Sequence, residues 1–196
     1  PMILAASAEW VWLINGNTRR LHHAFTHDGG NPLELKVSPY GSHLMLRTET
    51  QIFLTAMPQS PGNGDLKYAV LHEARHLRFF GGTQRFITWN AVQAKVWDSQ
   101  QQRCIAELPP AAAPLADALI LNGELAVLAR VDGEIAFYDI ASRSLKQSLR
   151  PEPQDDARLQ AIYAAEKGHV LCLYHRHAGD TTAWDACWLD VERGQV

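Results

Sequence analysis

Four segments of this chain end in the same way, and the spacing between them limits what the chain can fold into. Trp12-Leu13-Ile14-Asn15, Val96-Trp97-Asp98, Phe137-Tyr138-Asp139 and Trp188-Leu189-Asp190 each close an apolar run on an aspartate or asparagine. Six residues after that acid or amide stands another apolar residue: Leu21, Cys104, Leu145 and Val196. The pattern reads as strand, polar turn, next strand. Asp98 and Asp139 are 41 residues apart, and Asn15 and Asp98 are 83 apart, about two such steps, with the strand Gln51–Ala56 where the intervening copy falls. From Asp139 to Asp190 the step is 51, the extra length lying in 176–182. A period of roughly 40–45 residues with several short strands per unit is the mark of a radial β repeat.

Between these marks, short runs of Val, Ile, Leu, Phe, Tyr and Trp alternate with Gly, Pro, Asn and Asp clusters, from Met2–Ala6 through His43–Arg47 and Leu125–Ala129 to His169–Tyr174. No long segment of period 3.6 competes; the best helical alternative, Ala111–Leu121, is weakened by Pro109, Pro110 and Pro114. The expected fold is therefore all-β: a single β-propeller domain, or a fragment of one, with about four to five blades of four antiparallel strands. Its units fall at about 2–27, 33–72, 76–109, 117–150 and 158–196. The first unit lacks an inner strand and the last stops where its outermost strand should begin. Open strand edges are rarely left unpaired. The expectation is a longer native chain, or a second chain that completes the ring. Pro1 ahead of Met2 fits a piece of a longer chain or a cloning remnant.

The repeat resembles the WD40 family. Trp97-Asp98 matches that family's closing dipeptide. Asp132-Gly133 through Asp139-Ile140 is similar to its D-G-x-I-x-x-W-D segment, where Asp-Gly suits a tight hairpin. Ser38-Pro39-Tyr40-Gly41-Ser42-His43-Leu44 resembles the S-P-D-G-x-x-L turn. Gly168-His169, the only Gly-His, lies between two inner strands rather than before the first, so the family's Asp–His network does not carry over. The resemblance implies a rigid scaffold that binds other macromolecules through its loops.

Composition narrows the alternatives. The net charge is -3, with no basic excess of the kind nucleic-acid binders carry, so nucleic acid is an unlikely partner. Arg19-Arg20 beside His22 and His23 is the only dense basic run, and it reads as a solvated strand or turn. Cys104, Cys172 and Cys187 are odd in number, widely spaced and free of any C-x-x-C, which points to reduced thiols rather than a disulfide framework. No apolar run approaches the length of a membrane span and no signal peptide is visible. The expected location is intracellular, cytoplasmic or nuclear, with no membrane contact and no cofactor.

Candidate sites are few. His175 and His177 could share one face of a strand and begin a metal site, with Asp180, Asp185, Cys187 or His169 completing it, but no full zinc spacing appears. A hydrophilic strand end explains the pair better. His72-Glu73-Ala74-Arg75-His76 matches H-E-x-x-H, which needs a helix to bring its two histidines together, whereas the flanking runs read as strands. Asp28-Gly29-Gly30 and Gly62-Asn63-Gly64-Asp65 read as loops, with no helix following to bind phosphate. Trp12, Trp89, Trp97 and Trp188 are expected in the core. Trp184, in the longest insertion, is the expected exposed anchor. Arg75 and His76, in the basic and aromatic cluster with His72, Arg78, Phe79 and Phe80, and Arg176 complete the partner-binding candidates. The loops 57–66, 109–116, 150–158 and 176–184 are the natural contact surfaces.

The expected function is a non-catalytic protein–protein interaction scaffold, a subunit of an intracellular complex. The alternatives are a propeller enzyme, hydrolase or metal-dependent, built on His175 and His177, and a nucleic-acid-binding propeller.

Overall fold

The computed structural model describes residues 1–58, 60, 68–71, 73–81, 84–151, 157–165, 168–178 and 181–194. Every regular element among them is a strand, and the strands form five antiparallel sheets of three or four. The first sheet holds β1 (Met2–Ala6), β2 (Trp10–Asn15) and β3 (Leu21–Thr26). The second holds β4 (Pro32–Val37), β5 (His43–Thr48), β6 (Ile52–Ala56) and β7 (Tyr68–Val70). The third comprises β8 (His76–Phe79), β9 (Arg85–Trp89), β10 (Ala94–Asp98) and β11 (Arg103–Glu107). The fourth comprises β12 (Leu115–Leu121), β13 (Leu125–Arg130), β14 (Ile135–Asp139) and β15 (Leu145–Leu149). The fifth has β16 (Arg158–Ala164), β17 (His169–Ala178) and β18 (Thr181–Asp190). In each sheet the strands pair in chain order. Within the helical alternative Ala111–Leu121, residues 115–121 form a strand, because Pro114 would remove a donor inside such a helix and the seven residues that follow bury both faces. No helix of the described residues is long and apolar enough to cross a membrane.

The four repeated segments build one and the same turn. The side-chain Oδ1 of Asn15, Asp98, Asp139 and Asp190 accepts the backbone N–H three residues on, from Thr18, Gln101, Ser142 and Arg193. The residue four positions on is left-handed in every copy: Arg19 at φ 56°, Gln102 at 49°, Arg143 at 58° and Gly194 at 63°. A short polar side chain that bonds its own backbone is what makes Asp and Asn turn formers. In the first, third and fourth sheets the pairing then slips by one residue at matching places, between Leu13 and Ile14, Val96 and Trp97, and Phe137 and Tyr138. The equivalent place in the second sheet is Ala56, which has no side-chain acceptor, and its loop runs into residues that lie outside those described. A second recurring slip sits at the start of β4, β12 and β16, between Pro32 and Glu34, Leu115 and Asp117, and Leu159 and Ala161. Such bulges bend a strand and raise its twist.

Two compact units divide the chain, Pro1–His76 and Leu77–Val196. In the first, Val11, Leu13, Phe25, Leu44, Leu46 and Phe53 form the core. The second has two clusters. One joins the third and fourth sheets around Ile87, Val96, Leu108, Ala118, Ile120 and Leu128. The other joins the fourth and fifth around Leu119, Val127, Phe137, Ile162, Val170 and Cys172. Trp97 lies flat on its cross-strand partner Phe86, with ring centroids 5.9 Å apart, and its Nε1–H donates to Thr88 Oγ1 at 2.8 Å.

Candidate interaction surface

The extra length that separates the last repeat from the others is strand, not loop. β17 and β18 pair without a break from His169–Asp190 to Ala178–Thr181, so 176–178 and 181–184 are paired strand rather than insertion loop. Thr181-Thr182 and the aromatic Trp184 suit a strand. Trp184 is therefore held on a strand.

Alternation sorts the fifth sheet into two apolar faces. Val170, Cys172, Tyr174 and Leu189 are buried against the fourth sheet. The opposite face carries Tyr163, Leu171 and Trp188 in one cross-strand row, Ala161, Leu173 and Ala186 in the next, and His175 beside Trp184 in a third. Trp184 is 61% exposed, Trp188 55% and Tyr163 49%. Trp188, expected in the core, is thus on the surface, because its neighbours Leu189 and Cys187 take the covered side. The His175 ring lies 5.1 Å from that of Trp184, tilted by 58°. Arg176 Nε stands 3.0 Å from Asp185 Oδ2, an ion pair rather than an aligned hydrogen bond, on the covered side of the hairpin. Arg176 is held by its own sheet and does not join the Trp184 face.

The contrast with the other sheets is in burial, not in composition. β5, β6, β9 and β13 are near-continuous apolar runs and bury residues of both faces. β17 is an equally continuous run, His-Val-Leu-Cys-Leu-Tyr, yet only its alternate residues Val170, Cys172 and Tyr174 are buried. β2 repeats this in the first sheet: Val11 and Leu13 are fully buried, whereas Trp10 is 41% exposed and Trp12 and Ile14 are half-buried. Their cross-strand partners Ala5 and Ile3 extend that outer face. Runs without polar alternation belong to strands covered on both sides. Covering the exposed part of one tryptophan contributes about 2.5 kcal/mol, at roughly 25 cal/mol per Å² over some 100 Å².

Arg75 and His76 sit elsewhere. They line a cleft of about 80 Å³ in the first unit with Leu33, Arg47, Glu49 and Gln51. Arg75 Nη1 donates to the carbonyls of Glu49 and Thr50 at 3.4 and 3.3 Å, closing over the β5–β6 turn that Thr48 Oγ1 caps. Its guanidinium therefore has a structural task in that turn. Within the second unit, Arg78 is drawn away from the expected basic cluster. Its Nη2 donates to Asp117 Oδ2 at 2.9 Å and its Nη1 to the Ile162 carbonyl at 2.8 Å, with the cation 5.9 Å from the Trp89 ring and 5.8 Å from that of Tyr163. Asp117 also accepts the N–H groups of Ile162 and Ala118. Sequence reading missed this node. The signal was a lone acid inside the apolar run Leu-Ala-Asp-Ala-Leu-Ile-Leu, a residue that is buried only when its acceptors are filled.

No group of three metal-ligating side chains forms among the described residues. His175 packs on Trp184. The side chain of His177, and Asp180, lie outside the described residues. In the H-E-x-x-H segment His72 is likewise outside them, while Glu73–Arg75 form a turn and His76 begins β8, so the helix that motif needs is not made there. No model of a known protein family matches this chain, and no curated protein matches it.

Proposed function

We propose that the chain is a non-catalytic scaffold of WD40-like propeller type, a subunit of an intracellular complex, which binds a protein partner through the exposed apolar face of its last sheet. The observation that carries the reading is the apolar face of Tyr163, Leu171, Leu173, Trp184 and Trp188 on a sheet whose other face is already packed. Contiguous apolar surface of this kind marks interaction sites, and tryptophan anchors dominate the energetics of many of them. The recurring four-stranded meander and its common Asx turn support propeller blades. A second chain whose own sheet lies on this face would give β17 the two-sided burial its sequence suits.

The test is affinity purification of the chain from cells, followed by hydrogen exchange on the complex. The expected result is a stoichiometric protein partner that protects 161–163, 171–175 and 184–188. Trp184→Ser with Trp188→Ser should weaken that binding by at least tenfold. A partner retained equally by the double variant would overturn the reading, as would a chain that stays at its own 21.9 kDa with no partner at high concentration.

A further inference from the structure

We propose that Cys187 and Cys172 form a cross-strand dithiol site that exchanges with low-molecular-weight disulfides and closes into a disulfide across the β17–β18 hairpin. The two residues are direct partners in the ladder, and both thiols are free. The ladder has no slip over its ten pairs, and the Val191 N–H donates to the Gly168 carbonyl just beyond its end. Counting by twos from that bond makes Cys172–Cys187 a hydrogen-bonded pair. Such pairs hold their Cα atoms about 5.5 Å apart, inside the roughly 4.4–6.8 Å range that disulfides span, while their Cβ atoms stand about 1 Å wider than an unstrained bridge, so the bond that closes is strained and readily reduced.

The two thiols differ in the way a two-step exchange requires. Cys172 is fully buried in the core between the fourth and fifth sheets. Cys187 is half-buried at the edge of that core, within reach of a small reagent. The adjacent Cys172 thiol, and after it the Tyr174 hydroxyl, draw the Cys187 pKa down to about 7, against the opposing effect of burial. The same contact, with burial, pushes Cys172 up. Cys104, on β11, has no thiol partner opposite it, and burial pushes its pKa up. It serves as an internal control.

The chemistry balances with a small disulfide, RSSR, as the oxidant. The Cys187 thiolate attacks one sulfur of RSSR, forming a mixed disulfide and releasing RS⁻, which takes up the proton Cys187 had lost. Cys172 then gives up its proton and attacks the Cys187 sulfur, forming the Cys172–Cys187 bond and expelling the second RS⁻, which carries that proton away as RSH. Two electrons pass from the two thiols to RSSR, leaving two RSH. Access sets the order, because Cys172 cannot be reached first.

The experiment treats the intact chain with oxidised glutathione and follows it by intact mass and peptide mapping. The expected product is a chain lighter by two hydrogens, with 172 and 187 linked. Cys172→Ser should instead trap one glutathione on Cys187, and Cys187→Ser should leave Cys172 unmodified while the chain is folded. Phenylarsine oxide, which bridges close dithiols, should bind the unaltered chain one to one, a readout that does not depend on any variant folding. The proposal is overturned if the unaltered chain accumulates glutathione on Cys187 without losing it, if only Cys104 reacts, or if phenylarsine oxide does not bind.

Discussion

Arg78 and Asp117 are joined by a 2.9 Å ion pair in which the carboxylate is 5% exposed and the guanidinium 33%. The pair ties β8 to β12, and both partners reach Ile162 on β16, through its carbonyl and its N–H. Three strands that begin three successive sheets are thereby linked at one point. Removing either partner leaves buried polar groups without their bonds. Asp117→Ala should lower the unfolding free energy by about 3 kcal/mol. Arg78→Met should cost about 2 kcal/mol, less because its guanidinium is partly in water. Urea titration of the two variants and the double variant checks both values, and the double should cost clearly less than their sum.

The four Asx turns share a left-handed residue, and only the last copy fills it with glycine. Arg143→Gly should relieve the Cβ–carbonyl crowding at φ 58° and stabilise the chain by up to about 1 kcal/mol, net of the entropy glycine adds to the unfolded state. A rise in the midpoint of thermal unfolding is the expected reading.

Asp139 belongs to the same turn. The backbone N–H and the hydroxyl of Ser142 hold its carboxyl below the usual aspartate range. A depressed folded pKa means that the contribution is complete above the ordinary unfolded value and is lost as pH falls through the folded one. Asp139→Asn, which keeps an Oδ1 acceptor as Asn15 does, should flatten the acid limb of the stability curve and leave the neutral limb nearly unchanged. Urea midpoints measured from about pH 6 down to about pH 2 would show it.

Gly29 is a matter of space. A Cβ there would lie 2.5 Å from Phe53 Cε2 and 2.6 Å from Thr48 Oγ1, and both of those side chains are buried. Thr48 cannot yield without losing the β5–β6 turn that its hydroxyl caps. Gly29→Ala should cost about 1–3 kcal/mol, as overpacking does, whereas Gly30→Ala meets no neighbour and is opposed only by its φ of 77°.

The exposed tryptophans should behave in the opposite way. Trp184→Ser with Trp188→Ser should change the stability of the isolated chain by less than about 1 kcal/mol, since both rings are mostly in solvent. The same variant should reduce fluorescence enhancement of an apolar dye. Unchanged stability together with lost partner binding separates a docking face from a core.

Much of the local structure was legible in the residues. The all-β architecture followed from short apolar runs and proline and glycine punctuation. The turns followed from the Asp or Asn that ends each run, because an Asx turn is formed by atoms a few residues apart. The outer strands β3 and β15 were harder to read as runs, since Leu-His-His-Ala-Phe-Thr and Leu-Lys-Gln-Ser-Leu each carry three polar residues. What needed the tertiary structure was every relation between strands distant in sequence. It decided that Asp117 meets Arg78, that Cys172 faces Cys187, and that Arg75 closes the β5–β6 turn. It also decided that Trp188 is outside while Trp89 is inside. The run through β17 is apolar on both sides, so its sequence says that both faces suit burial. Only packing says which face already has a neighbour, because burial depends on what lies across the gap and not on the strand itself.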